Sequence, residues 1–184
     1  VQLTRSGNVL APLKIEGGTT YVYENDTIED YDDWSTSTTY LRAYAGGILG
    51  DGDIILDSTG NVLGNLDVDA HNVTIIEDDH ITDAGDWDAS GDVVLNPGTS
   101  GSYQIDLDRT GHFLGPIDID GTPSQVTLYE SDPITQAGAW DIGTAPIILN
   151  SGTNAISLIE TGNVLGAIQI LTSNGTPASV TITE

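Results

Sequence analysis

Short triplets with apolar residues on either side of a middle position recur along this chain. Val1-Gln2-Leu3, Ile54-Ile55-Leu56, Ile105-Asp106-Leu107 and Ile156-Ser157-Leu158 form one set. Leu13-Lys14-Ile15, Leu66-Asp67-Val68, Ile117-Asp118-Ile119 and Ile168-Gln169-Ile170 form a second. Tyr21-Val22-Tyr23, Val73-Thr74-Ile75, Val126-Thr127-Leu128 and Val180-Thr181-Ile182 form a third, each soon followed by a glutamate: Glu24, Glu77, Glu130 and Glu184. A period of two is that of a strand with one buried face, so Ile117 and Ile119 are expected inside and Asp118 outside. Three copies add a segment ending in tryptophan: Ile28–Trp34, Ile81–Trp87 and Ile134–Trp140. No helical periodicity longer than a turn interrupts the strands.

The triplets belong to a repeat. Between the first and second sets lies a five-residue stretch: GNVLA at Gly7–Ala11, GNVLG at Gly60–Gly64, GHFLG at Gly111–Gly115 and GNVLG at Gly162–Gly166. Its leading glycines are 53, 51 and 51 residues apart. Glycine pairs of this kind can cradle a phosphate, but such a loop is normally made once and opens a helix. Four copies without a helix mark a structural corner, with Gly7, Gly60, Gly64, Gly111, Gly115, Gly162 and Gly166 as its hinges. Short one-faced strands at a fixed period fit a solenoid better than a propeller, whose blades need longer hairpin strands. The expected fold is an all-β parallel β-helix of about seven coils, with two triangular coils in each ~51-residue repeat. It forms one array over residues 1-184, with repeats near 1-53, 54-104 and 105-155 and a partial one at 156-184. Repeat-related residues such as Ile54 and Ile105 are then expected to stack two coils apart in one sheet.

Composition narrows the partners. Twenty-eight acidic residues face four basic ones, for a net charge of −24. Such a surface repels nucleic acid and anionic membranes and attracts cations. No apolar run is long enough to span a membrane. The chain has no cysteine, which excludes disulfides, thiolate metal sites and thiol catalysis.

The units PIILNSGTNAISLIETGNVLGAIQI and DPITQAGAWDI resemble the repeats of filamentous-haemagglutinin-type exoproteins. The likeness rests on Ile156 and Leu158 leading to the Gly162–Gly166 corner, and on Ile134-Thr135-Gln136 with Gly138 and Trp140. The second repeat departs slightly with Ile81-Thr82-Asp83, the first further with Ile28-Glu29-Asp30 and Tyr31. The resemblance covers nearly the whole chain. It implies a right-handed β-helix exported to a bacterial surface, serving as an adhesin stalk or extracellular scaffold.

Candidate chemistry is sparse. Asp86, Asp88, Ser90 and Asp92, with Gly91, match the first half of a calcium loop, although Pro97 stands where the closing glutamate belongs. The expectation is no cofactor, with calcium at this loop as the exception to test. Trp34, Trp87 and Trp140 form either a sugar-binding platform or a packed ladder, and recurrence favours the ladder. Tyr21 and Tyr23 belong to the tyrosine-rich first repeat, the best candidate contact surface. His71, His80 and His112 read as exposed turn residues. Arg5, Lys14, Arg42 and Arg109 do not cluster as a lyase base would require, so catalysis is not expected.

The first strand and Glu184 carry no visible cap, which points to end-to-end self-association or continuation within a longer chain. The functional expectation is a structural or adhesive element, a stalk or fibre-forming unit of a bacterial surface or matrix filament, located outside the cell. A glycan or host-surface molecule is its candidate ligand. The alternative is a carbohydrate-binding or carbohydrate-active β-helix protein of lyase or hydrolase type.

Overall fold

The structure, a computed structural model, describes residues 1–5, 7–45 and 47–184. Among these there is no α-helix, and strands pair in parallel except where Tyr44 and Ala45 meet Leu49 and Ile48 in a small antiparallel hairpin. One side of the molecule is a sheet whose order follows the chain. It runs through Gln2–Leu3, Thr19–Glu24, Thr38–Ala45, Asn65–Ala70, Ile81–Asp83, Gln104–Leu107, Gln125–Tyr129, Ile147–Asn150 and Ile168–Ile170. The other side begins at Leu13, bridged to Asp30, and continues through Ile28–Glu29, Ile54–Leu56, Val73–Ile76, Val93–Asn96 and Ile117–Ile119. A bridge from Ile117 to Gln136 extends it to Ile134–Thr135, Ile156–Leu158 and Val180–Ile182. The chain thus passes from one side to the other and back, a β-solenoid of about nine turns. Nine rungs are eight steps of about 4.8 Å, or about 38 Å of axis.

Two sides and two edges replace the expected triangle, and the coil count rises from seven to nine. The reason lies in the coil length. From Thr19 to Gln169 the register makes seven steps over 150 residues (169−19), about 21 residues per coil. A repeat of 51 to 53 residues is therefore two and a half coils. Each successive copy begins half a turn further round and lands on the opposite side. Leu13 and Ile117 lie on the second side, whereas Leu66 and Ile168 lie in the first sheet. Ile54 and Ile105 likewise fall in different sheets, so the expected two-coil stacking of repeat-related residues is corrected to an alternation.

The inward residues of both sides form one continuous core from Ile15 to Leu158, with Ile117, Ile119, Val126 and Leu128 buried as their alternation predicts. What stacks on a given residue is the residue about 21 positions away: Val126 on Ile105, and Ile147 on Val126. The core is one residue deep from each side, so a low hydrophobic content suffices to fill it. A lone coil cannot offset its own ordering entropy, and stability belongs to the stack.

The half-turn geometry has a direct check. Spin labels on the outward-facing neighbours Thr74 and Val94, which are register partners on adjacent rungs, are expected to show strong dipolar broadening at about 5 Å backbone separation. Labels on the repeat-related pair Ile55 and Asp106, which lie in different sheets, are expected to show none.

Candidate functional site

At each edge the chain must leave one sheet and enter the other, and its inward backbone amides lose their strand partners. A recurrent constellation satisfies them. The Trp34 amide donates to Asn61 Oδ1 at 2.7 Å, the Trp87 amide to His112 Nδ1 at 2.8 Å and the Trp140 amide to Asn163 Oδ1 at 2.9 Å. The acceptor is in each case the second residue of the glycine corner, one coil further on. The indole Nε1 of each tryptophan reaches one coil back, to the carbonyls of Leu13 at 2.8 Å, Leu66 at 3.0 Å and Ile117 at 2.9 Å. Each tryptophan therefore ties three successive coils together, and all three are fully buried.

The corner side chain is itself held. Asn61 Nδ2 donates to Asp30 at 2.6 Å, Asn163 Nδ2 to Gln136 at 3.1 Å, and His112 Nε2 lies 2.9 Å from Asp83 Oδ2. Because His112 Nδ1 accepts from a backbone N–H, its proton sits on Nε2 and is donated to Asp83. Burial opposes ionisation of Asp83, but the hydrogen bonds from His112 and the Arg109 amide, with the Arg109 charge, hold its carboxyl below the ordinary value. Asp30, Asp83 and Gln136 are the third residues of the Ile-x-x segments, so the variation seen there in sequence is variation in the partner of one buried side chain.

The recurrent glutamates complete the module. Glu24, Glu77 and Glu130 are the third inward residues of their strands and are buried. Glu24 Oε1 accepts the Leu10 amide at 2.6 Å and Glu77 Oε2 the Leu63 amide at 3.2 Å, both from the corner leucine. Glu77 Oε1 and both Glu130 oxygens have no partner. Burial pushes Glu77 and Glu130 well above the ordinary carboxyl range; the Leu63 and Leu114 amides pull the other way.

Close packing requires glycine at five of the seven corner positions. A Cβ on Gly64 would overlap the Ser37 carbonyl, and φ there is +63°. A Cβ on Gly115 or Gly166 would overlap the carbonyl of Gly91 or Ala145. Gly60 and Gly111 carry the carboxylates of Asp33 and Asp86, one coil earlier, where a side chain would stand. Gly162 faces Ala139 across an open contact, and Gly7 has no close neighbour.

Residues 51–120 and 114–172 match a family described as repeats of unknown function (DUF5649). Together the two matches span 122 residues (172−51+1), about two thirds of the 184. The chain belongs to this family. No curated protein and no solved structure matches it. In this family member the recurring residues are those of the edge module.

The remaining candidates scatter. Asp86, Asp88 and Ser90 alternate with inward Trp87 and Ala89 along an extended segment, and Asp92 is exposed beyond it. They stand along the outer face of one segment at a single edge and do not wrap a central point as the ligands of a calcium loop do. Among the described residues, no three His, Asp or Glu side chains gather to hold a metal. Trp34, Trp87 and Trp140 offer no contact surface, since their exposure is 0%. His71 and His80 are exposed as expected, but His112 is 0% exposed, a correction whose signal was its place in GHFLG, where the other copies carry asparagine. Tyr21 stacks on Tyr40 with centroids 4.6 Å apart and planes 7° from parallel, and Tyr23 stands half-buried beside them. Arg42, in register with Tyr23, pairs with Asp67 at 2.7 Å.

Two outcomes test the module. His112→Asn keeps both hydrogen bonds in the form that Asn61 already uses, and its cost in chemical denaturation is expected to stay below about 1 kcal/mol; His112→Leu strands the Trp87 amide and Asp83, costing about 2–4 kcal/mol. The glutamates set a pH dependence. A folded pKa raised above the unfolded value gives stability that is present below the unfolded pKa and lost as pH rises through the folded one. In chelator, the melting temperature is expected to rise on acidification from neutral pH toward the ordinary value of 4.5, and to flatten in the Glu77→Gln, Glu130→Gln double variant.

Proposed function

We propose that the chain is a structural β-solenoid element outside the cell, a stalk or fibre-forming unit of a bacterial surface or matrix filament of the filamentous-haemagglutinin type, acting without catalysis. The observation that carries this reading is where the recurring residues point. Tryptophan, corner Asn or His, and glutamate turn inward and bond the chain's own backbone. Each module meets only its neighbours, so the array lengthens without redesign, either within one long chain or by stacking of copies end to end. The net charge of −24 keeps lateral surfaces apart in solution. A glycan or host-surface molecule is the candidate ligand of such a stalk.

A second reading, a carbohydrate-binding or carbohydrate-active β-helix, is favoured by the Tyr21–Tyr40 stack with Tyr23 and the Arg42–Asp67 pair on one outer face. Aromatic faces beside charged donors and acceptors suit sugar rings. Electron microscopy of native material is expected to show filaments or stalks. A glycan array and a reducing-sugar assay are expected to show no product; saturable binding lost in Tyr21→Ala supports an adhesive stalk, and product formation overturns the structural reading.

A further inference from the structure

Each glutamate of the edge module is followed two residues later by an aspartate: Glu24 and Asp26, Glu77 and Asp79, Glu130 and Asp132. In the first two copies that aspartate closes a turn. Asp26 Oδ1 accepts the Thr27 amide at 2.9 Å and Asp79 Oδ1 the His80 amide at 2.8 Å. In the third copy the next residue is Pro133, which has no N–H to give. Asp132 faces Glu130 within hydrogen-bonding reach instead; the Leu114 amide is turned toward Glu130, but neither Asp132 Oδ1 nor the two Glu130 oxygens, all buried, receives a hydrogen bond of good geometry. Glu130 is 3% exposed, and no Lys, Arg or His among the described residues pairs with either carboxylate.

Glu130 lines an open hollow of about 320 Å³, with Thr110, Ser131, Ser151 and Asn154 around it. The Ser131 hydroxyl donates to the Thr110 carbonyl and the Ser151 hydroxyl to the Asn154 carbonyl, which leaves their lone pairs free. The Asn154 amide donates to the Ser131 carbonyl. The buried carboxylate of Glu130, the half-buried one of Asp132 beside it and a set of neutral oxygens are thus brought together without a positive charge.

We propose that Glu130 and Asp132, with the neutral oxygens of this hollow, bind one divalent cation of the calcium type. Calcium accepts six to eight oxygens from carboxylates, carbonyls, hydroxyls and water in flexible geometry, at about 2.3–2.6 Å, and two carboxylates balance its charge. Magnesium demands a near-ideal octahedron and keeps its waters, so it fits less well. Burial and the adjoining Asp132 raise the affinity of Glu130 for a proton, and a cation relieves the same repulsion. The second copy lacks the site because Asp79 and one oxygen of Glu77 are already bonded.

Isothermal titration calorimetry at neutral pH with calcium chloride, and with magnesium chloride in parallel, tests this, together with thermal melts in calcium and in chelator. One calcium per chain and a raised melting temperature are expected. Glu130→Gln and Asp132→Asn are expected to weaken binding at least about tenfold. Pro133→Ala, which returns a turn amide to Asp132, is expected to weaken it with the fold intact, and Glu77→Gln to leave it unchanged. Absence of heat and of any melting shift overturns the proposal. So does calcium binding that survives both carboxylate substitutions, which is diffuse attraction to an acidic surface. A melting temperature that responds to acid through Glu130 but not to calcium also overturns it, since that carboxyl is then kept by its own proton.

Discussion

A backbone amide turned toward the interior at an edge, where no strand can receive it, is the constraint on which this solenoid is built. Along the sheets each amide finds the carbonyl of the next coil. At the edges some still do, such as Val62 to Trp34 and Phe113 to Trp87, but those of the tryptophans and corner leucines do not, and a buried unsatisfied amide costs about as much as several well-packed methylenes contribute. The chain meets this by sending a side chain across the gap. Asn61, His112 and Asn163 accept the tryptophan amides, and Glu24 and Glu77 accept those of the corner leucines. Each acceptor then needs its own partner, which recruits Asp30, Asp83 and Gln136. The indole spans the coil on the other side and fills the volume that the turn leaves. The polar interior is a consequence of closing short strands into coils.

The half-turn offset follows from the same module. It occupies one edge from Trp34 through Asn61 to Glu77, the opposite edge from Trp87 through His112 to Glu130, and the first again from Trp140 to Asn163. Trp, corner and glutamate sit on three consecutive coils, so a module reinforces an edge over three rungs before the next takes over across the molecule. Neither edge is left long without its staple, and both sides of the core receive the same inward triplets in turn. A repeat of two whole coils would place every tryptophan on one edge and leave the other with unsatisfied amides.

Much of this was legible in the sequence. The triplets with period two name the inward residues, and the glycine corners, the tryptophans and the glutamates give the repeat. The fold class follows from those alone. The phase of the repeat against the coil was not legible, because counting triplets per repeat does not say how many cross from one side to the other. The turns vary from 17 residues between Asn65 and Thr82 to 27 between Thr38 and Asn65, which hides the mean coil. His112 was misplaced because a histidine among turn residues looks exposed, although GHFLG beside three GNVL stretches marks it as a substitute for asparagine. The acidic run at Asp86–Asp92 looked like a loop because its outward residues are all oxygen-bearing. Buried Trp87 and Ala89 between them are the mark of a strand.

Substitutions between copies are paired. Lys14 in the first copy meets Asp32 at 2.7 Å. The corresponding Asp67 and Asp118 lie over Gly85 and Gly138, where a side chain would collide with the carboxylate. Histidine at 112 comes with Asp83 and Arg109, asparagine at 163 with Gln136. Asp33 and Asp86 come with Gly60 and Gly111, whereas Ala139 leaves Gly162 free of close contact. At the corner side chains the bond between adjacent coils is preserved while its chemistry changes, and at the leading glycine the contact is made or dropped by both partners together. Here the variation is absorbed locally, coil against coil, and the geometry that passes from one module to the next is left unaltered. An array of that kind can be lengthened module by module without altering the contacts already made.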